Sequence, residues 1–304
     1  MAKVRRGFHM QYLLSGNAEA KPEAERPETM QAEAAELKRV MESAALAAGR
    51  AIMAIHSAGP DVHFKPDSSP VTEADEEAER VILAALARHF PQIPVIAEEA
   101  VAAGQVPDIS GGLFFLVDPL DGTKEFVAGR NEFTVNIALI ESGVPIAGVV
   151  YAPALAAGFI AVDGRAERFT VADRHTLANR QGIGCRGRGK ALTAVASRSH
   201  DTPETGRFLE DHGIDACTAI GSSLKFCLVA EGLADVYPRF SRTMEWDTAA
   251  GDAVLRAAGG ETRTLDGAPL AYGKRNQPND TDFANPNFIA SGAGWSGDAG
   301  RAIK

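Results

Sequence analysis

The feature that most constrains this chain is an apolar run that ends in two aspartates, LFFLVDPLDGTKEF at residues 113–126. The run predicts a buried strand, and Asp118 and Asp121 follow it directly. Because Pro119 fixes φ between them, both carboxylates can converge on one point, as hard cations require. A surface turn with a capping aspartate explains the same residues, so this segment alone leaves both interpretations open.

The residues after the strand offer backbone groups as well. Gly122 permits a tight turn, so the Leu120 carbonyl can point towards the same place as the carboxylates. The helical turn that follows leaves the N–H groups of Gly122 and Thr123 free to face a phosphate. The segment therefore combines candidate cation ligands with candidate phosphate donors.

Two further acidic positions lie at the starts of other predicted elements. Glu98 and Glu99 follow the short strand Ile93–Ala97, and a solvated strand end would explain them. Asp247 opens a helix in the sequence WDTAAG, where it could be an N-cap. The small residues Ala249–Gly251 leave that first turn bare, so another backbone or a nucleotide can approach closely. This favours metal ligation by Asp247.

Asp75 is the remaining acidic candidate. Thr72 and Asp75 fit the T-x-x-D pattern of a helix-capping box, which would be a purely structural role. The spacing to Ala78 and Ile82 places Asp75 on the inward face of the same helix. An unpaired charge there is costly, so we expect a cation or a hydroxyl to meet it.

The hydrophobic pattern predicts helices followed by a mostly antiparallel sheet. Apolar residues recur at helical spacing over residues 32–56 and again from Thr72. Two hairpins follow, at 133–151 and 159–170. Beyond the Gly- and Arg-rich loop 182–189, short strands alternate with helices. We therefore expect a mixed α/β (α+β) fold.

Composition shifts suggest three parts. Residues 1–30 end in an Ala-, Glu- and Pro-rich stretch with little to bury, and we predict a disordered N-terminal extension. Residues 31–180 are predicted to form a metal-binding α+β half. Residues 181–304 are predicted to form an α/β half that completes the active site and the substrate pocket.

Charge and cysteine content narrow the possible partners. A formal net charge of −9 disfavours nucleic acid polymers, and 3 cysteines without C-x-x-C spacing disfavour a disulfide framework. We find no signal peptide and no transmembrane run. The expectation is a cytoplasmic protein acting on a small molecule, with its oligomeric state open.

The motifs, in this order, resemble the inositol monophosphatase superfamily of Mg²⁺-dependent, lithium-sensitive phosphatases, whose signatures are D-P-[LI]-D-G-T and W-D-x-A-A-G. The segments SSPVTEAD, VIAEEA, IGSSLKFCLVAEG and YPRF are similar to its 3′(2′),5′-bisphosphate nucleotidases of the CysQ type. This resemblance implies a layered α-β-α-β-α sandwich, like that of fructose-1,6-bisphosphatase. It also implies hydrolysis of adenosine 3′,5′-bisphosphate, a by-product of sulfur assimilation, to AMP and phosphate.

The resemblance also implies roles for individual residues. Two or three Mg²⁺ ions would be held by Glu98, Asp118, the Leu120 carbonyl, Asp121 and Asp247, and Li⁺ would be inhibitory. Thr123, oriented by Asp75, would help to deprotonate the attacking water. Substrate contacts would come from Gly122, Thr123, His200, Ser222, Lys225, Arg239 and Asp247.

Several alternatives stay open. Lys225 could be a surface helix charge, Arg239 a strand-end ion pair and His200 an ordinary loop residue. An inositol-1-phosphate phosphatase shares the metal ligands but needs no clamp for a second phosphate, so Lys225 and Arg239 favour a bisphosphate. A non-catalytic sensor of adenosine bisphosphate is a further alternative. Peripheral contact with the cytoplasmic side of the inner membrane, seen in relatives of this type, is also open.

Overall fold

The computed structural model describes residues 28–64, 70–173, 176–187, 191–199, 202–293 and 295. Its helices are α1 (Glu28–Ala58), α2 (Glu73–His89), α3 (Glu98–Ala102), α4 (Thr123–Val127), α5 (Pro203–Asp211), α6 (Leu224–Ala230) and α7 (Glu245–Ala257). Its strands are β1 (Val62–Phe64), β2 (Pro70–Thr72), β3 (Val95–Ala97), β4 (Leu113–Asp121), β5 (Thr134–Glu141), β6 (Val144–Ala152), β7 (Ala157–Val162), β8 (Arg165–Ala172), β9 (Thr176–Gly182), β10 (Thr193–Ser197), β11 (Ala216–Ile220), β12 (Val236–Arg239), β13 (Thr243–Met244), β14 (Glu261–Thr264), β15 (Ala284–Asn285) and β16 (Phe288–Ser291). None of the helices within these ranges is long and apolar enough to cross a membrane.

The larger sheet has seven strands in the order β3-β4-β5-β6-β7-β8-β9. Its strands pair antiparallel except for β3 and β4, which are parallel and place Ala97 opposite Val117. Both predicted hairpins are confirmed, as β5–β6 and β7–β8.

The smaller sheet has five strands in the order β11-β10-β12-β16-β14. β10 pairs parallel with β11 and with β12, and α5 and α6 supply the connections between these strands. The predicted alternation of strands and helices in the second half of the chain is therefore confirmed. β16 runs antiparallel to both of its neighbours.

Three apolar cores separate the layers. α1 and α2 pack on one face of the larger sheet, where Leu37 and Ile52 are buried. α6 and α7 fill the space between the two sheets with residues such as Phe226 and Val254. α5 packs Phe208 against the far face of the smaller sheet. The result is the α-β-α-β-α sandwich that the resemblance implied.

The small residues at the start of α7 serve this packing. A Cβ atom on Gly148 of β6 would lie 2.6 Å from the Ala250 carbonyl oxygen. A Cβ atom on Gly251 would lie 2.7 Å from a ring carbon of Phe226. The sequence left open whether another backbone or a nucleotide approaches this bare turn. In the structure, the backbone of β6 lies against it.

Some boundaries differ from the expectations. β4 continues to Asp121 instead of ending at Val117, because a bulge lets the strand pass Pro119. The polar strand β9 carries no apolar alternation, so no hydrophobic pattern predicted it. α1 begins at Glu28, inside the predicted extension, and residues 1–27 lie outside the described residues. The division at residue 180 stays a prediction.

Candidate active site

The parallel pair β3–β4 brings the first two acidic residues together. Ala97 and Val117 are opposite each other, so Glu98 and Asp118 both follow at the same edge of the sheet. Glu98 is also the first residue of α3, where a negative charge is favoured by the helix dipole. Glu98 is half-buried, and its carboxylate lies close enough to repel that of Asp118, which is only 1% exposed.

The bulge in β4 carries the next ligand candidates. Asp118 pairs with Asn136 and Asp121 with Thr134, so two residues of β4 face one residue of β5. Asp118 Oδ1 accepts a hydrogen bond from the Leu120 N–H at 3.0 Å. This contact holds one oxygen of Asp118 within its own turn.

Ser223, at the N-terminus of α6, joins the acidic residues across four elements. Its N–H donates to Asp121 Oδ2 at 2.6 Å, and its hydroxyl lies 2.9 Å from the same oxygen. The hydroxyl is also 2.6 Å from the Asp247 carbonyl oxygen and accepts from Asn136 Nδ2 at 2.8 Å. Ser223 therefore ties β4 and β5 to the start of α7.

Asp247 occupies the third position of α7, and Met244 is the N-cap residue, so the expectation that Asp247 itself could be the N-cap is wrong. Its Oδ2 accepts from the Met244 N–H at 2.8 Å, which satisfies one free donor at the helix end. One carboxylate oxygen thus serves the helix terminus. Repulsion between Asp247 and both Asp118 and Asp121 follows from the proximity of these carboxylates.

Asp75 combines the two roles that the sequence left open. Its Oδ2 accepts from the N–H and the hydroxyl of Thr72, both at 2.8 Å, as in a capping box. Its Oδ1 accepts from Thr123 Oγ1 at 3.1 Å. Burial raises the pKa of Asp75 to about 6, with repulsion from Glu98 adding to the effect. The Asp75–Thr123 contact confirms that a hydroxyl meets this inward carboxylate.

Crowding of buried carboxylates dominates the electrostatics of the site. Burial and then repulsion from Glu98, Asp121 and Asp247 raise the pKa of Asp118 well above its ordinary value. Burial followed by repulsion from Asp121 and Glu98 does the same to Asp247. Like charges in a buried site call for a counter-ion or for protons.

The donor chemistry fits a hard cation. The acidic residues supply carboxylate oxygens, and the Leu120 carbonyl adds a neutral oxygen, which lies 3.1 Å from Thr123 Oγ1. Within the described ranges, no three His, Cys, Asp or Glu side chains form a ready-made metal site. The carboxylates therefore have the chemistry of Mg²⁺ ligands without yet converging on one point.

Acidic and cationic side chains line one cavity of about 160 Å³. Asp121 and Asp247 are its acidic residues, which we call the acidic pole, and Lys225 and Arg239 are its cationic residues, which we call the cationic pole. Burial lowers the pKa of Lys225 to about 8, although Asp121 opposes the shift. One cavity thus presents negative and positive poles to a ligand.

The two cations are not surface charges. Lys225 is 4% exposed, donates to the carbonyls of Ile220 and Ser222, and lies over the Tyr237 ring. Arg239 is 7% exposed and donates from Nε to the Ser241 carbonyl at 3.1 Å. It makes no ion pair with any described carboxylate. The alternative readings of Lys225 as a surface charge and of Arg239 as an ion pair are wrong.

Five of the sequence-predicted site residues line the cavity, namely Asp121, Ser222, Lys225, Arg239 and Asp247. Ser222 lines the cavity with φ of +56°, and Gly122 has φ of +94°, where a Cβ would lie 3.0 Å from the Glu132 carbonyl oxygen. His200 lies outside the described residues. The assignments of these residues to metal or substrate stay predictions.

Sequence reasoning missed the residues that connect the site. Asn136 sits inside an apolar strand, TVNIALIE, and a buried amide in such a run was an available signal. Tyr237 and Arg242 also line the cavity. Tyr237 belongs to the segment YPRF, which pointed only to Arg239 as a contact, and Arg242 belongs to no motif. Ser223 lies in the segment IGSSLKFCLVAEG, but nothing in the local sequence predicts its contacts with residues 121, 136 and 247.

The chain is similar over most of its length to proteins of one family. Residues 33–291 match the inositol monophosphatase family. The chain is 44% identical over 243 residues to the 3′(2′),5′-bisphosphate nucleotidase CysQ of Salmonella typhimurium, covering 79% of this chain and 94% of that protein. Among solved structures, CysQ from Bacteroides thetaiotaomicron aligns with a TM-score of 0.69 at 39% identity, covering 84% of this chain and 97% of that one.

A more distant structure has the same architecture. The inositol monophosphatase from Anabaena (Nostoc) sp. PCC 7120 aligns with a TM-score of 0.64 at 26% identity, covering 84% of this chain and 90% of that one. The layered sandwich, the acidic strand ends and the sequence match over most of the chain agree with one another. This protein is a member of the inositol monophosphatase family.

Proposed function

We propose that this protein is a Mg²⁺-dependent phosphomonoesterase that converts adenosine 3′,5′-bisphosphate to AMP and inorganic phosphate. The observation that carries the proposal is a cavity lined both by Asp121 and Asp247 and by the buried cations Lys225 and Arg239. A substrate with two phosphates can place one at each pole. The family is generally metal-dependent, and the similar CysQ proteins are named bisphosphate nucleotidases.

The acidic pole is suited to the scissile phosphate. Bound at Glu98, Asp118, Asp121, Asp247 and the Leu120 carbonyl, Mg²⁺ would supply charge neutralisation for the attacking and leaving oxygens. The carboxylates of the chain would position the ions, and their hard oxygen donors favour Mg²⁺ over soft cations that prefer sulfur ligands. The raised pKa values of Asp118 and Asp247 support this role, because an added cation would stabilise their charged forms.

Thr123 and Asp75 form a route for the proton. Thr123 Oγ1 donates to Asp75 Oδ1 at 3.1 Å, so its lone pairs can accept a hydrogen bond from the attacking water. As water attacks phosphorus, its proton passes to Thr123 and the Thr123 proton passes to Asp75, while the ester bond between phosphorus and the leaving oxygen breaks and that oxygen takes a proton from solvent. The pKa of Asp75, about 6, suits a base that works near neutral pH.

The cationic pole is suited to the non-scissile phosphate. The Lys225 ammonium is held by the Ile220 and Ser222 carbonyls at 3.2 and 2.6 Å, so it needs little reorganisation to receive an anion. Arg239 adds a planar donor fork at the end of β12. Charge-assisted hydrogen bonds to phosphate favour a bisphosphate over a polyol monophosphate.

The test compares two substrates in the purified protein. Phosphate release is measured from adenosine 3′,5′-bisphosphate and from inositol 1-phosphate, with Mg²⁺, with EDTA and with added Li⁺. We expect Mg²⁺-dependent, Li⁺-inhibited release with the nucleotide strongly preferred. Preference for inositol 1-phosphate would support the metal site and overturn the assigned substrate. Tight nucleotide binding without phosphate release would identify a sensor instead.

A further inference from the structure

Arg242 also borders the cavity, next to the two buried cations. Its side chain is 56% exposed, so it lies where the cavity opens to solvent. Arg242 follows β12 by a short turn and precedes β13 directly. The proposed function assigns it no role, although it adds a third positive charge to the cationic pole.

The backbone of Arg242 is held from inside the cavity. Arg239 donates from Nε to the Ser241 carbonyl at 3.1 Å and from Nη2 to the Arg242 carbonyl at 3.2 Å. The next residue, Thr243, pairs with Asn285 in the β13–β15 ladder. The position of Arg242 is therefore fixed at its backbone, while its long side chain reaches outward.

The guanidinium group of Arg242 is paired with the loop between β14 and β15. Its Nη2 lies 2.5 Å from Thr281 Oγ1 and 3.1 Å from Asp280 Oδ1. The Asp280 side chain is 40% exposed. An exposed ion pair of this kind is weak and readily exchanged, because water solvates both partners.

We propose that Arg242 is a specificity-determining residue that leaves Asp280 and binds the non-scissile phosphate together with Lys225 and Arg239. This inference rests on the proposed function. A phosphate dianion carries more charge than a carboxylate and offers two oxygens to the guanidinium fork, so it competes effectively with Asp280. Arg242 selects for substrates that carry a second phosphate and has no contact with those that lack one.

The loop supplies a matched control. Arg275 donates to Asp282 Oδ2 at 2.7 Å in the same loop, with a side chain 36% exposed, and it does not border the cavity. Arg275→Ala removes one guanidinium and one exposed ion pair, as Arg242→Ala does. Any difference in kinetic constants between the two variants is therefore due to the position of Arg242 at the cavity and not to the loss of a surface charge.

The experiment measures KM and kcat for adenosine 3′,5′-bisphosphate and for adenosine 3′-phosphate. In Arg242→Ala we expect KM for the bisphosphate to rise about three- to tenfold with little change in kcat, which is the range for an exposed charge-assisted contact. KM for the monophosphate stays as in the unsubstituted protein. Arg275→Ala leaves both values unchanged. Asp280→Asn lowers KM for the bisphosphate, because Arg242 no longer has to leave a carboxylate.

Other results overturn the inference. Equal KM values for the bisphosphate in Arg242→Ala and Arg275→Ala would show that Arg242 does not touch the substrate. A parallel loss with both substrates would indicate a structural role at the Ser241–Arg242 turn. Failure of the proposed function is seen separately, in the unsubstituted protein, as absence of Mg²⁺-dependent release from the bisphosphate, and it would remove the basis of this inference too.

Discussion

A single oxygen of Asp121, Oδ2, accepts hydrogen bonds from the Ser223 N–H at 2.6 Å and from its hydroxyl at 2.9 Å. Asparagine can place its carbonyl oxygen at the same point, so Asp121→Asn removes a charge and preserves the contact with Ser223. We expect kcat/KM to fall by at least about a hundredfold, because a ligand charge of the cation site is lost.

The stability of the Asp121→Asn variant should behave differently from its activity. Without metal, its melting temperature is expected to equal or exceed that of the unsubstituted protein, since a buried like charge is removed. The rise in melting temperature on adding Mg²⁺ should disappear. Asp282→Asn, the same change in an exposed loop acid, is the control and should keep activity. Normal turnover in Asp121→Asn would disprove the metal assignment.

At the scale of secondary-structure elements, α7 packs closely against β6 at the point where Gly148 contacts Ala250. A Cβ on Gly148 would lie 2.6 Å from the Ala250 carbonyl oxygen and 2.7 Å from the Ala253 Cβ. Gly148→Ala must therefore push α7 away from the sheet. We expect a loss of about 1–3 kcal/mol in the free energy of unfolding, measured by urea denaturation.

Because α7 carries Asp247, Gly148→Ala should also weaken Mg²⁺ binding. Gly206→Ala is the matched control: Gly206 lies within α5, and a Cβ there meets nothing within 4 Å. That change should raise the free energy of unfolding by about 0.4–1 kcal/mol, because alanine restricts the unfolded chain. Unchanged stability in Gly148→Ala would mean that α7 can shift at no cost.

Elements formed by local pattern were predictable from the sequence. The periodicity around Leu37 and Ile82 and the turn at Asp163-Gly164 gave helices and hairpins close to those observed. The acids of the site were also found, because Asp118 and Asp121 end an apolar strand. The convergence of Ser223 with Asn136 could not be predicted, since it depends on how sheet and helix pack and not on any local preference.

At the scale of the whole molecule, the acidic site opposes folding unless protons or cations occupy it. The pKa of Asp75 is about 6 in the folded protein, against an ordinary value of 3.8. Between these pH values the folded state binds more protons than the unfolded state, so stability falls as pH rises through this window. Asp118 and Asp247, with raised pKa values, act in the same direction.

We therefore expect the metal-free protein to lose about 1–3 kcal/mol through Asp75 between pH 4 and pH 6. Urea denaturation in EDTA across this range measures the change. Asp75→Asn removes the titrating group and should flatten the profile relative to the unsubstituted protein. With Mg²⁺ at pH 7 the loss should be recovered, because the cation stabilises the charged carboxylates. Identical dependence of the free energy of unfolding on pH in the two proteins would show that Asp75 is not the source of the loss.

Ser223 joins β4, β5, α6 and α7, and these contacts affect the order in which the chain folds. Its contacts join residues 121, 136 and 247, so they form only after distant parts of the chain have been brought together. Contacts of such long sequence separation are slow to form. The metal-binding arrangement should thus appear among the last events of folding, and Mg²⁺ affinity would report that folding is complete.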